Sequence, residues 1–146
     1  MTDQPSTVEL TTEECWALLH GQELGRLAFH LADEVHLVPV NFAVDHDRRL
    51  VIRTAEGSKL LGLTMDADVA FEVDEVVDEV ARSVVIRGRA HELHGTEADA
   101  VDQLPLRPWV SDPRSVVVAI EVDEMTGRRF ALHRPWLQLR HPEPRA

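Results

Sequence analysis

A chain of 146 residues is the size of one domain, long enough to bury about two-thirds of the surface its unfolded form exposes. Its formal net charge of −11 argues against nucleic acid or an anionic membrane as the main partner, while 44% hydrophobic and 28% charged residues mark an ordinary globular composition. The single cysteine, Cys15, excludes an internal disulfide and points to a reducing cytoplasm; no signal peptide and no apolar run of membrane-spanning length is expected.

Residues 1–8 and 141–146 read as frayed tails of one domain over residues 1–146. Thr11 and Glu14 stand at capping-box spacing, and Leu10 and Cys15 are placed as the staple around that box. The apolar stripe of Cys15, Trp16, Leu18 and Leu19 predicts a helix that His20-Gly21 ends. On such a face Cys15 is expected to be packed, not reactive. Leu27, Phe29 and Leu31 alternate with Ala28 and His30 in a first strand over Gly25 to Leu31. Ala32 to Glu34 turn the chain. Val35 to Val44 form a second strand, whose Pro39 suits an edge or a bulge. Asp45 to Arg48 form another turn, and LVIRT (Leu50 to Thr54) a third strand.

Glu56 to Leu63 then begin a short helix, and Asp66 to Val77 give a strand with Val69, Phe71 and Val73 on one face. The acidic run Asp74 to Glu79 reads as a solvated hairpin connection, with an interaction surface as the alternative. Ser83 to Leu93 is the longest predicted strand, and Gly88 within it suggests a bulge or the close approach of another backbone. Thr96 caps a short helix to Val101, a loop with three prolines follows, and Ser115 to Val122 is a clear strand. A turn at Gly127 leads into a last strand within Met125 to Leu132. Six or seven short strands joined mainly by hairpins, with two or three small helices, predict a mostly antiparallel sheet closed into a small barrel.

The richest stretch in this order lies where the third strand meets its helix. Arg53, Thr54, Gly57, Ser58 and Lys59 place two cations, two hydroxyls and a glycine within seven residues, with only Glu56 opposing them. Helix N-termini offer unpaired N–H groups and partial positive charge; an arginine grips phosphate as a fork and a lysine as a point charge. In so acidic a chain the cluster predicts capture of a phosphate. Surface charges beside a simple turn are the competing reading.

Other motifs are weaker. His91 and His94 form an H-x-x-H pair that points to opposite faces at a strand end, with no third ligand nearby, so no metal site is predicted. His30 and His36 flank a turn, with haem ligation as a minority reading. Ser83 and Ser115 lack a nucleophile-elbow context, Gly57-Ser58-Lys59 lacks the upstream glycine of a P-loop, and no acid–base pair stands out, so the catalytic residues are unknown. Trp109 and Trp136 are candidates for stacking on a ligand, or for filling a core or an interface.

Taken in order, the capped helix, GRLAF, VHLVPVNFAVD, LVIRTAEGSKLLGL, the Val/Phe strand and SVVIRGRAHEL resemble the FMN-binding split-barrel family related to pyridoxamine 5'-phosphate oxidase, over roughly Leu10 to Val122. The resemblance implies a six-stranded antiparallel Greek-key split β-barrel, a homodimer, and FMN held in a groove between the subunits. It implies that Pro39, Val40 and Asn41 line the flavin ring, largely through backbone groups. Arg53 and Thr54 would reach the ribityl chain or phosphate, and Gly57, Ser58 and Lys59 would hold the phosphate. Arg87 or Arg89 would lie near the dimer contact. The C-terminal segment that binds the vitamin phosphate in true pyridoxamine phosphate oxidases is not recognisable here. The function implied is therefore a flavin-dependent oxidoreductase acting on another small molecule; the alternatives are a deazaflavin-dependent reductase or a non-catalytic flavin- or haem-binding protein. Substrate choice is expected to rest on the Pro105 to Pro113 loop and the C-terminal tail.

Overall fold

The computed structural model of the protein describes residues 7–55, 68–106 and 115–133. Its elements are β1 (Thr7–Glu9), α1 (Thr12–His20), β2 (Leu24–Leu31), β3 (Glu34–Asn41), β4 (Ala43–Val44), β5 (Leu50–Ala55), β6 (Asp68–Val77), β7 (Val80–Leu93), α2 (Gly95–Ala100) with a 3-10 turn at Val101–Gln103, and β8 (Ser115–Ala131). The strands form one antiparallel sheet in the order β3-β2-β6-β7-β8-β5-β4, with β1 paired to the end of β8. The sheet curls until β3 comes into contact with β5, which makes a split β-barrel. Pro39 sits on β3, at the end of that order, where its missing N–H is tolerated. No helix among the described residues is long and apolar enough to cross a membrane.

The strand count is eight where the sequence predicts six or seven, and each difference has a local cause. The second predicted strand breaks at Phe42, whose N–H turns away to the Glu23 carbonyl at 2.9 Å while its ring packs edge-on to Phe71. Thr7 and Val8, expected in a frayed lead-in, join Glu9 in a strand that pairs with Arg128 to Phe130. Gly127 does not turn the chain. It lies inside β8, which at 17 residues outruns the 14 of β7. Its missing side chain makes room for α1: a Cβ there would lie 2.4 Å from the Cys15 Sγ. The acidic run also divides differently, because Asp74 to Val77 stay in β6 and only Asp78 and Glu79 turn. Those two residues, like Ala32 and Asp33, have φ between 50° and 65°, the geometry of two-residue hairpins whose twist matches the flanking strands. Gly88 behaves as its position suggests. The register slips beside it, and a Cβ there would meet the Glu121 carbonyl oxygen at 2.0 Å.

The inner face holds the main core. Leu27, Leu50, Val73, Val84, Ile86 and Ile120 are fully buried there, each contributing about 1.5–3 kcal/mol of burial. Helix α1 covers this face with Cys15, Trp16, Leu18 and Leu19. Its capping box is formed: the Thr11 N–H donates to Glu14 Oε1 at 3.0 Å, and the Glu14 N–H donates to Thr11 Oγ1 at 3.2 Å. The hydrogen bond from the Thr11 N–H holds the Glu14 carboxyl below its usual range. Burial raises the Cys15 thiol, which is packed as its stripe predicts.

The outer face is divided. Ala43, Val51, Leu93, Val117 and Ala119 are buried against Val101 and Leu106, so the segment from α2 onward lies as a strap across β5, β8 and the end of β7. Across β2, β3, β6 and β7 no such cover exists among the described residues, and Val35 and Leu37 are 72% and 68% exposed.

Candidate functional site

Period-two alternation decides where the candidate residues on β5 point. Leu50 and Ile52 face the main core and Val51 faces the strap, so Thr54 and Arg53 project to opposite sides of the sheet. Thr54 is the single buried polar residue among the described residues. Arg53 stands beside the strap, with its side chain 17% exposed. Its Nη2 is paired with the Asp102 carboxylate, and its Nη1 donates to Ser115 Oγ at 3.4 Å. Two of the five guanidinium N–H groups are thus engaged among the described residues.

Pro39, Val40 and Asn41 end β3 and pair with Arg26, Gly25 and Leu24 on β2. Val40 is buried and Pro39 exposed. Because β3 ends the sheet order, its far edge lies outside the ladder, and because β3 touches β5, the two strands carrying candidate residues come together. Gly57, Ser58 and Lys59, the helix predicted around them, and Trp109 and Trp136 lie outside the described residues.

Four residues before Arg53, on the same face, Arg49 is held very differently. Its Nε donates to Asp45 Oδ2 at 2.8 Å, and Glu97, Glu121 and Asp47 stand at 3.5, 3.6 and 3.7 Å. Burial pulls its pKa down, but the Asp45 hydrogen bond and the surrounding carboxylates outweigh it and the net shift is upward. Such a cation is spoken for. Asp102 and Ser115, the partners of Arg53, were not among the predicted site residues. Asp102 lies 49 positions along the chain on a turn, where no spacing motif marks it.

The bare half of the outer face carries a groove of about 500 Å³ between Ala28, His30, Ala70, Arg87, Gly88 and Glu124. Arg89 is held by Asp123 at 3.2 and 3.3 Å, which raises its pKa. Arg87, exposed on the same strand, lines the groove with no ion pair among the described residues. Beside the groove, Arg26 bridges Glu72 and Asp74 at 3.2 and 3.3 Å. The Glu72 carboxyl is pushed up, first by burial and then by Asp74, and its Oε1 is buried with no hydrogen-bond partner.

The histidines separate. His36 stacks on Phe29 at 5.2 Å, while His91 and His94 sit near Glu121 and Glu92 at 3.7 and 3.8 Å. No cluster of three metal-ligating side chains occurs among the described residues.

A family model described as pyridoxamine 5'-phosphate oxidase matches residues 11–129. An uncharacterised Mycobacterium tuberculosis protein, Rv0080, is 37% identical over 131 residues, covering 84% of this chain and 85% of its own. A crystal structure from Corynebacterium glutamicum superposes with a TM-score of 0.76 at 36% identity, over 89% of this chain and 98% of that one. The structure of the FAD-binding protein from Mycobacterium smegmatis superposes with a TM-score of 0.75 at 32% identity, over 86% and 100%.

Proposed function

The chain belongs to the pyridoxamine 5'-phosphate oxidase family, and we propose that it is a cytoplasmic flavin-dependent oxidoreductase that works on a small organic molecule as a homodimer. The observation that carries this reading is Arg53: a largely shielded cation at the strand end that leads to Gly57, Ser58 and Lys59, in a molecule of net charge −11. A flavin phosphate is the anion that suits it, and the likeness to the FAD-binding protein supports a flavin over other phosphorylated ligands. FMN is the cofactor proposed. FAD carries a phosphate on the same ribityl chain, so both belong in the test.

In this reading Arg53 and Lys59 neutralise the phosphate, and Ser58 and the N–H groups near Gly57 complete its hydrogen bonds. The backbone edge of β3 at Pro39 to Asn41 offers polar contacts to a flat ring, and Thr54 lies on the inner face of β5, at the strand end that carries Arg53. A bound flavin supplies the hydride or electron chemistry; the protein binds, orients and shields it. The bare half of the outer face suits a second copy, since it exposes Val35 and Leu37 around a groove lined by Arg87, which has no ion pair among the described residues.

Purified protein titrated with FMN and FAD tests this directly by flavin absorbance and fluorescence. Arg53→Ala and Lys59→Ala each remove a charge-assisted hydrogen bond worth about 1.5–3 kcal/mol, so affinity is expected to fall about tenfold to a hundredfold for each. Unchanged affinity in both variants would refute the phosphate site.

A further inference from the structure

Arg53 already has an anion. The Asp102 carboxylate that pairs with it belongs to the strap, on the 3-10 turn that follows α2. The two ends of this pair differ. Arg53 is 17% exposed and its backbone is locked in the β5–β8 ladder opposite Val117, whereas the Asp102 side chain is 70% exposed. The turn beneath Asp102 is firmly held. Val101 is buried in the strap cluster, the Leu104 N–H closes on the Val101 carbonyl at 3.0 Å, and Leu106 is buried beyond it. Asp102 is therefore presented from a fixed base with a side chain free to swing into water.

The strap does not need this pair to stay down. Its apolar residues hold it, and Glu97 on α2 gives it a second anchor at Arg49. Nor does Arg53 need Asp102 to keep its place, because Ser115 accepts from the other Nη. What the pair does change is charge. With Asp102 against it, Arg53 presents little net positive potential to an incoming anion, and the donor on Nη2 is occupied.

Resting on the reading that Arg53 grips the flavin phosphate, we infer that Asp102 is a resident competitor for that phosphate: it occupies Arg53 when no cofactor is bound, yields when the phosphate arrives, and so sets the affinity of the site. The device leaves the charge of Arg53 compensated by Asp102 in the cofactor-free state. It also makes retention of the flavin weaker than the cations alone would allow.

The test is the FMN affinity of Asp102→Asn, with Asp102→Ala as a second variant, each confirmed as folded by circular dichroism. Loss of an exposed ion-pair partner predicts FMN binding about two- to fivefold tighter than wild type. Riboflavin, which lacks the phosphate, is expected to bind both proteins equally. In an Arg53→Ala background the Asp102 substitution is expected to change nothing, because the group through which it acts is gone. If Arg53→Ala weakens FMN while neither Asp102 variant tightens it, the competitor idea is overturned and the flavin site stands. If the riboflavin affinity shifts as much as that of FMN, Asp102 acts on something other than phosphate, and the idea is again overturned. If wild-type protein binds neither FMN nor FAD, the cofactor reading falls and takes this inference with it.

Discussion

Two halves of one sheet face meet opposite conditions in this molecule. Beneath the strap, Val51, Val117, Ala119 and Leu93 point outward and are all buried, with Arg49 and Arg53 paired to strap carboxylates beside them. On the other half, Val35, Leu37 and Val85 are exposed and charged residues break them up: Arg26, Glu72, Arg87 and Glu124. The difference teaches how each half is used. An apolar patch of this kind must be covered by the chain's own residues, because it would be costly in water. A patch interrupted by arginines and carboxylates stays soluble alone and still offers enough apolar surface for another protein to cover.

Truncation separates the halves most sharply. Leu93→Ala, under the strap, is expected to cost about 2–5 kcal/mol in urea-induced unfolding. Leu37→Ala, on the bare half, is expected to stay within about 0.5 kcal/mol of wild type under the same conditions. Sedimentation should instead show Leu37→Ala with weakened self-association. Equal losses of stability would erase the distinction. Arg49, just before β5, and Arg53, within it, give the next contrast. Arg49, surrounded by four carboxylates, is expected to cost about 1.5–3 kcal/mol of stability on replacement by alanine, with flavin affinity unmoved. Arg53→Ala should do the reverse. A loss of flavin binding in Arg49→Ala would mean that both cations serve the ligand.

The smallest effect belongs to Glu72, and its sign follows from its surroundings. Its folded pKa is raised above the ordinary 4.5, chiefly by burial. Its contribution to stability is therefore fully present below 4.5 and is lost as pH rises through the elevated folded value. Glu72→Gln removes that loss. The variant is expected to be more stable than wild type at pH 7 by less than about 1 kcal/mol, and indistinguishable from it at pH 3. Thermal melts at the two pH values check this; a gain that is the same at both would show that the carboxylate's charge is not the cause.

Much of this architecture is legible in the sequence. The capping box, the apolar stripe of α1, the alternation in β2 and β6, and the irregularity at Gly88 all follow from local pattern. What fails is local pattern that a distant neighbour overrides. Gly127 looks like a turn because glycine permits one, yet it is glycine because Cys15 and Leu10 press against it from α1. The short helix begins one residue before Thr96, with His94 in the capping position and no side-chain cap. At the candidate site, proximity in the chain grouped Arg53 with Thr54, while the two-residue period of a strand sends them to opposite faces. The binding of Arg53 by Asp102 depends on how the strap folds back, which no spacing encodes.

One strand has a consequence for how the chain assembles. β8 borders β7 along its length on one side, and β5 and β1 on the other. Until it arrives, β1 has no partner and β5 has only the two residues of β4. Closing that ladder joins opposite ends of the described chain, an arrangement that places folding in the slow, milliseconds-to-seconds range typical of non-local β pairing. During that interval the open edge of β5 is a template for mispairing between nascent chains, so expression at low temperature or with chaperones should raise the yield of soluble protein.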